Sequence, residues 1–166
     1  MIVAGPARDL EMAEWLADRV KHFEVNASPF VALGWQRREK LVAVTVYDNF
    51  THINIDAHIA LERGGLCAAY LGEIFRYPFV LLSVKRITAK VAASNIRSAK
   101  FVDGLGFKYE GTVRQALPGG EDLLIFGMLK SECRWLGVGI YGREHNSRSA
   151  DAATAGGRRT AGGLTH

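Results

Sequence analysis

The hydrophobic and polar positions of this chain change their period several times. A short apolar start at residues 1–4 is followed by apolar residues at helical spacing over residues 8–22, which predicts a strand and then an amphipathic helix. Residues 30–36, 41–47 and 52–61 have the alternation and the β-branched content of strands. The first two of these segments are separated by a polar turn, so they predict a hairpin.

The second half of the chain predicts two further helices and three further strands. They are a helix over residues 66–83 bent near Pro78, a strand over 86–91, a helix over 95–105, and strands over 107–117 and 123–130. The whole order predicts an α/β (α+β) fold, in which a central mixed, mostly antiparallel sheet of about seven strands is flanked by helices.

Composition narrows the partners that this chain can have. Its 166 residues are 48% hydrophobic, enough for one domain with a real core. The net charge is +4, but half of this excess lies in residues 137–166, which lack periodicity and are rich in Gly, Ala, Arg and Thr. We expect a domain at residues 1–136 and a disordered tail at residues 137–166. The nearly neutral domain argues against nucleic acid as a partner.

The cysteines and the N-terminus add little chemistry. Cys67 and Cys133 lack the spacings of metal sites or disulfide scaffolds, so both are expected to be small buried hydrophobes. No segment reaches the roughly 18 apolar residues of a membrane helix. The N-terminus also lacks the basic region followed by an apolar stretch that is typical of a signal peptide. We therefore expect a cytoplasmic protein with no membrane partner, and whether it forms a homodimer stays open.

The run VAASNIRSAKFVDGLGFKYEG at residues 91–111 carries the most specific signal. Asn95 stands at the predicted start of a helix, Ser98 follows three residues later, and Gly106-Phe107 follow eleven and twelve residues later. With the element order, this pattern resembles motif B of the GNAT (GCN5-related N-acetyltransferase) superfamily. The flanking segments YDN, RYPF, LGF and ECRW are similar to divergent GNAT-like proteins of phage genomes. The resemblance covers roughly residues 30–136.

The resemblance implies an acyl-CoA-dependent N-acyltransferase. Such an enzyme moves an acetyl (acyl) group from acyl-CoA to an amine of a small molecule or protein, by direct transfer in a ternary complex. The implied fold opens as a V between the fourth and fifth strands, where acyl-CoA inserts like an extra strand and its pyrophosphate meets a loop and a helix N-terminus. The cofactor-binding residues implied here are Ile59, Ala60, Leu61, Arg63, Gly64, Gly65, Leu66, Cys67, Asn95 and Ser98.

Two positions depart from the family pattern. Leu66 stands where the phosphate loop usually has its first Gly, and Val102 stands where the family often has a general-acid Tyr. Asp103 and Tyr109 are nearby alternatives. Since a thiol pKa near 8.5 makes coenzyme A a tolerable leaving group, catalysis does not require this acid. The departures leave open a second function, a catalytically silent GNAT-fold binding or virion-associated phage protein. Transfer to a nucleobase amine would need a basic face that the domain lacks.

The catalytic candidates are Asp56 and His58, on the polar face of the strand at residues 52–61, where the family often places a catalytic or water-holding residue. Same-face neighbours on a strand lie about 6.5 to 7 Å apart, so these two side chains could share a bridging water. A general base matters most for a lysine-like amine, whose deprotonation at pH 7 costs roughly 4 to 5 kcal/mol. Two other interpretations of this strand face stay open. It could be a solvated polar surface, or it could be a metal site, although the sequence shows no third and fourth ligands nearby.

Overall fold

The computed structural model describes residues 1–25 and 28–137. Within them the strands are β1 (Ile2–Ala4), β2 (Val31–Arg37), β3 (Lys40–Asp48), β4 (Asn54–Leu61), β5 (Arg86–Ala92), β6 (Lys108–Leu117) and β7 (Glu121–Leu129). The helices are α1 (Pro6–Ala17), α2 (Ala68–Arg76) and α3 (Ile96–Leu105), with a π-helical turn at Tyr77–Leu81 and a 3-10 turn at Lys130–Glu132. The described residues thus contain every element that the sequence predicts, in the predicted order.

The seven strands form one sheet in the order β1-β2-β3-β4-β5-β7-β6. All neighbours are antiparallel except β4 and β5, which are parallel. This confirms the predicted mixed, mostly antiparallel sheet. The single parallel pair lies at the centre of the sheet, and each of its strands leads into a helix.

Helices cover both faces of the sheet. On the face that we call the α1 face, Met12, Ala13 and Leu16 of α1 pack against Val44 and Val46 of β3. On the opposite face, the α2 face, a larger core forms around α2, the π-helical turn and α3. Its largest fully buried side chains include Tyr47, Tyr70, Phe75, Phe79, Ile87 and Met128.

The chain leaves α2 through a change of helix type rather than a simple bend. α2 ends at Arg76, and Leu82 N–H donates to the carbonyl of Tyr77, five residues earlier, at 3.0 Å. Pro78 lacks the N–H that would donate to the carbonyl of Ile74. The buried hydroxyl of Tyr47 on β3 donates to that carbonyl instead, at 2.5 Å. The helix predicted over residues 66–83 therefore begins at Ala68 and changes to a π-helical turn near the predicted position of the bend. The buried carbonyl of Ile74 is satisfied from the sheet.

Several boundaries and burial states differ from expectation. α1 covers Pro6–Ala17 instead of residues 8–22. β4 begins at Asn54, because His52 adopts a left-handed φ of 66° that a strand does not contain. Cys67 and Cys133 are half-buried instead of fully buried, although burial raises the pKa of the Cys133 thiol. The predicted disordered tail lies outside the described residues, apart from Gly137.

Candidate active site

A V-shaped opening separates the two parallel strands at the centre of the sheet. β4 and β5 are in register at three positions only, and the last pair is Asp56 with Thr88. Beyond it β4 continues to Leu61 along β3, while β5 continues to Ala92 along β7. The two strands therefore diverge from a narrow end at Asp56, which we call the apex. The predicted opening between the fourth and fifth strands is confirmed.

The backbone of β4 presents unpaired groups to this opening. Glu62 N–H donates to Val42 of β3, and the Ile53 carbonyl accepts from Arg86 at the start of β5. Because alternate residues of a strand bond to opposite neighbours, the N–H and C=O groups of Ile59 and Leu61 point away from β3 and into the opening. Those of Ala60 point to β3. Of the three predicted backbone ligands on β4, two are thus oriented to bond an inserted chain.

Asp56 lies at the apex on the α1 face and is 4% exposed. Lys90 of β5 donates to Asp56 Oδ2 at 2.6 Å, and Asn49 donates to the same oxygen at 3.0 Å. Asn54 donates to Oδ1 at 3.1 Å. This carboxylate is therefore buried and hydrogen-bonded across β4 and β5, which a solvated polar surface would not be.

His58 lies two residues further along the same face, at the edge of the opening. Its Nε2 is 3.1 Å from Oδ1 of Asp48 at the end of β3, and its ring packs against Phe23 at 4.9 Å between centroids. Ser28 donates to the other oxygen of Asp48 at 3.3 Å. Since a carboxylate only accepts, Nε2 carries a proton, and in the neutral imidazole the lone pair is therefore on Nδ1. Nδ1 has no hydrogen-bond partner among the residues that the structure describes.

Asp56 and His58 thus share the α1 face of β4 as the sequence predicts, but their polar atoms contact different partners. The shared water stays a prediction. At the wide end of the opening, His22 Nε2 approaches Oε2 of Glu121 to 3.9 Å, so the loop after α1 reaches the start of β7. The α1 face of the opening is consequently bounded by Asp56 at one end and by this loop at the other.

The loop that follows β4 is shaped by two glycines. Gly64 has a φ of 82°, which favours glycine. A Cβ on Gly65 would lie 2.1 Å from the carbonyl oxygen of Val42, and the Gly65 N–H donates to the carbonyl of Glu62 at 2.9 Å. The Gly65 amide is therefore used inside the turn. Amides available to an anion begin after it, toward the exposed N-terminus of α2 at Ala68.

The N-termini of α2 and α3 lie at the same edge of the sheet, because each follows one of the two parallel strands. Cys67 caps α2 without a side-chain hydrogen bond. Asn95 caps α3, and its side chain accepts from the Ser98 N–H at 3.0 Å. Arg37 of β2 donates to the Gly64 carbonyl at 3.4 Å and so adds a cation beside exposed Arg63. This edge combines helix N-termini with positive side chains, which suits a phosphate group.

The fold matches those of known acetyltransferases. A chimera of spermidine N-acetyltransferase SpeG from Vibrio cholerae and hSSAT superposes with a TM-score of 0.64 and 16% identity, covering 79% of this chain and 97% of that chain. Spermidine/spermine N-acetyltransferase SpeG from Vibrio cholerae gives a TM-score of 0.58 and 16% identity, covering 79% and 92%. Ribosomal-protein-S5-alanine acetyltransferase from Vibrio fischeri gives a TM-score of 0.52 and 20% identity, covering 66% of this chain and 65% of that chain. These are GNAT-fold proteins.

The chain has the GNAT fold. No protein-family model matches the sequence, and no curated protein is significantly similar to it. The likeness to phage proteins is not tested by these comparisons and stays a prediction.

The residue at the position of the usual GNAT acid, Val102, is apolar and also lies in apolar surroundings. Val102 is 7% exposed and belongs to the core of the α2 face. Tyr109 is paired with Phe126 of β7, which is paired with Ala89 of β5, so it stands two strands away from the opening. Asp103 is exposed on α3. Neither alternative acid lies at the opening of this GNAT sheet.

Sequence reasoning missed three residues at the apex, namely Asp48, Asn49 and Lys90. Asp48 and Asn49 stand in the YDN segment, whose polar residues directly after a β-branched strand were a usable signal. Lys90 lies within an apolar strand, and nothing in the sequence pairs it with a residue 34 positions earlier. Among residues 1–25 and 28–137, no group of three or more His, Cys, Asp and Glu side chains could hold a metal ion. None of the described helices is long and apolar enough to cross a membrane.

Proposed function

We propose that this chain is an acyl-CoA-dependent N-acyltransferase, which transfers an acetyl (acyl) group directly from acyl-CoA to an amine. The observation that carries this proposal is the opening between β4 and β5, with the hydrogen-bonded pair of His58 and Asp48 on its α1 face. A GNAT fold alone would not support the activity. An opening with unpaired backbone on one strand and a polar pair at its edge supports both binding and proton transfer.

The residues of this chain suit acyl-CoA as a co-substrate. The backbone of Ile59 and Leu61 would bond the pantetheine amides, and the amides from Leu66 to the N-terminus of α2 would hold the pyrophosphate together with Arg63 and Arg37. Bound acyl-CoA supplies an activated thioester. The amine would then approach the thioester from the α1 face of the sheet.

His58 is the proposed general base, and Asp48 orients it. Nε2 is held by Asp48, so Nδ1 is the atom that would take the proton of the attacking amine. An imidazole can both accept and release a proton, as a general base must in each cycle. Asp56 holds the apex together through Lys90 and the two asparagines, and its role is electrostatic. This division of roles revises the prediction that both residues act on one water.

The first test is binding of acetyl-CoA, measured by calorimetry. Gly65→Pro would be a poor probe, because any side chain at Gly65 collides with Val42. Ala68→Pro is better: Ala68 is the exposed first residue of α2, where proline is tolerated but the N–H is lost. The preceding Cys67 already has the extended backbone (φ −146°, ψ 159°) that a following proline requires.

We expect Ala68→Pro to weaken acetyl-CoA binding by about 1 to 3 kcal/mol, since one charge-assisted hydrogen bond is removed. Ala68→Ser is the matched control, because it keeps the amide, and both variants should melt at the temperature of the unmodified protein. Equal affinity of all three proteins would place the phosphate elsewhere. No binding at millimolar acetyl-CoA would contradict the proposed function itself.

A second candidate is a GNAT-fold binding protein without catalysis. Buried Val102 at the acid position and Leu66 in the phosphate loop favour it. The two candidates separate when release of free thiol from acetyl-CoA is followed with a panel of amines. Because the compared SpeG proteins are named for spermidine, the panel begins with a polyamine and adds a lysine-like amine and an α-amino group. Tight binding without thiol release would favour the silent protein.

A further inference from the structure

We propose that Lys90 stabilises the thiolate that leaves when the thioester is broken, in place of the tyrosine acid that this chain lacks. The inference rests on the proposed function, because it requires acyl-CoA in the opening between β4 and β5. Lys90 lies on β5, across the opening from the proposed base on β4, and its proposed role concerns the leaving group of the reaction.

Lys90 is the first residue on the α1 face of β5 beyond the last pair of the two parallel strands. That pair is Asp56 with Thr88, and side chains two residues apart lie on the same face. Lys90 Nζ leans back across the apex to Asp56 Oδ2 at 2.6 Å. The ammonium group therefore stands at the narrow end of the opening, where β4 and β5 part.

The ammonium is held in place while part of it stays available. Its partner Asp56 is 4% exposed and is itself fixed by Asn49 and Asn54. The Lys90 side chain is 37% exposed. An ammonium has three donors, and Asp56 is its one hydrogen-bond partner among the described residues. Two donors are left for a ligand at the apex.

The direction of an inserted acyl-CoA brings its sulfur to this end. The amides suited to pyrophosphate lie after Leu61, at the wide end, so the pantetheine arm would run along β4 toward Asp56. The five residue steps from Leu61 to Asp56 span about 17 Å along the strand. The thioester terminates the arm and would lie between His58 on β4 and Lys90 on β5.

The chemistry divides between these two side chains. The amine nitrogen attacks the thioester carbon, the C–S bond breaks, and the bonding electron pair goes to sulfur. The proton lost by the amine goes to His58. Lys90 takes no part in the proton transfer and acts as a hydrogen-bond donor. Its role is to stabilise the negative sulfur, which later takes a proton from water.

Other charged groups face the apex and must be separated from Lys90 in any test. They are Asp56 and His58 on β4, Asp48 on β3, Arg86 on β5 and Glu110 on β6. Arg86 is already paired with Glu110 at 2.7 Å. Because several of these groups are titratable, the pH dependence of binding alone would not identify Lys90.

Comparing free CoA with desulfo-CoA, which has no thiol, removes this ambiguity. Calorimetric affinities of both are measured at about pH 6.5 and about pH 9, on either side of a lowered thiol pKa. A nearby cation lowers the pKa of an acid by about 1 to 3 units, so the preference for CoA over desulfo-CoA should grow by about tenfold or more between these pH values. Contributions of titratable groups that contact only the part common to both ligands cancel in the ratio, and the variants separate Lys90 from groups that reach the sulfur.

The variants assign the effect to one side chain. Lys90→Arg should keep the growth of this preference, Lys90→Met should lose it, and Lys40→Met, an exposed lysine at the start of β3, should keep it. Since Lys90→Met leaves Asp56 buried without its cation, the double variant Lys90→Met with Asp56→Asn is measured too, and it should also lose the effect.

An unchanged preference in the folded Lys90→Met protein would overturn the assignment. If the unmodified protein binds both ligands without any pH-dependent preference, Lys90 fails while the proposed function stands. If it binds neither ligand nor acetyl-CoA, both fail.

Discussion

His58 takes its orientation from the neighbouring strand. Asp48 ends β3, and its Oδ1 lies 3.1 Å from His58 Nε2, so one tautomer of the imidazole is fixed by a carboxylate. Asp56, two residues from His58, bonds a lysine and two amides instead. Two adjacent polar positions of one strand face therefore have different chemistry, because their partners come from different strands.

At this scale we predict that Asp48→Asn and His58→Ala both slow acyl transfer to a lysine-like amine. The expected loss in kcat is about 100- to 10,000-fold near pH 7, the range of general base catalysis, with little change in the affinity for acetyl-CoA. For His58→Ala the loss should shrink as pH rises, since the amine then deprotonates unaided.

Asp48→Asn should lose activity because the amide can donate to Nε2 and so stabilise the tautomer whose Nδ1 already carries a proton, and this loss should also shrink as pH rises. Ser28→Ala is the matched control, because Ser28 touches the other oxygen of Asp48. Rates that match those of the unmodified protein across the neutral range in both variants would refute the assignment of His58 and Asp48.

The sequence predicts the position of His58 but not its partner. Alternation along β4 is a local property, so the shared face of Asp56 and His58 could be read directly. The contacts to Asp48 and Lys90 depend on which strands become neighbours and in which register, and a register is set by the packing of the whole sheet. Gly65 illustrates the same limit, since its role comes from the carbonyl of Val42 on β3.

The element that follows β4 shows how a helix tolerates an internal proline. Pro78 removes one donor, and the orphaned carbonyl of Ile74 lies in the core of the α2 face. The hydroxyl of Tyr47 donates to it at 2.5 Å, and burial keeps the pKa of this phenol well above its ordinary value. The proline and the tyrosine are therefore coupled, although they belong to a helix and a strand.

A double-mutant cycle tests this coupling. We expect Tyr47→Phe to lower the free energy of unfolding by about 1 to 3 kcal/mol, because it leaves a buried carbonyl unsatisfied. Pro78→Ala alone should be tolerated. In the Pro78→Ala background the cost of Tyr47→Phe should be smaller, since the restored N–H can donate to Ile74. Denaturant unfolding measures all four proteins, and equal costs in the two backgrounds would show that the residues act independently.

At the scale of the whole molecule, the order of elements was predictable because each has a strong local pattern. Gly106 ends α3 with a φ of 106°, as the sequence indicates, and Asn95 begins it. The parallel pairing that creates the opening was available only through the resemblance to GNAT proteins, since no local pattern states that β4 and β5 are neighbours.

The described end of the chain closes the core on the α2 face. Trp135 donates from Nε1 to the carbonyl of Leu105 at 2.8 Å, and its ring stacks on Phe75 at 6.5 Å between centroids. Arg134 donates to the carbonyl of Gly104 at 2.5 Å. These carbonyls belong to the last turn of α3, which has no intrahelical donors for them. The segment after β7 is therefore part of the domain.

Two truncations locate the boundary of the domain. A chain that ends after Leu136 keeps Trp135, so its melting temperature should match that of the full chain, as expected if residues 137–166 lie outside the fold. A chain that ends after Glu132 loses the half-buried indole of Trp135 and its hydrogen bond to Leu105, which together should cost about 2 to 4 kcal/mol. In a domain of this size that corresponds to a fall in Tm of roughly 10 °C or more.

Trp135→Phe in the full chain separates the two contributions of the indole, because it keeps a ring against Phe75 and removes only the donor to Leu105. Its Tm should lie between those of the two truncated chains. A large fall in Tm on truncation after Leu136 would instead place the domain boundary within residues 137–166, and an unchanged Tm after truncation at Glu132 would show that α3 does not depend on this cap.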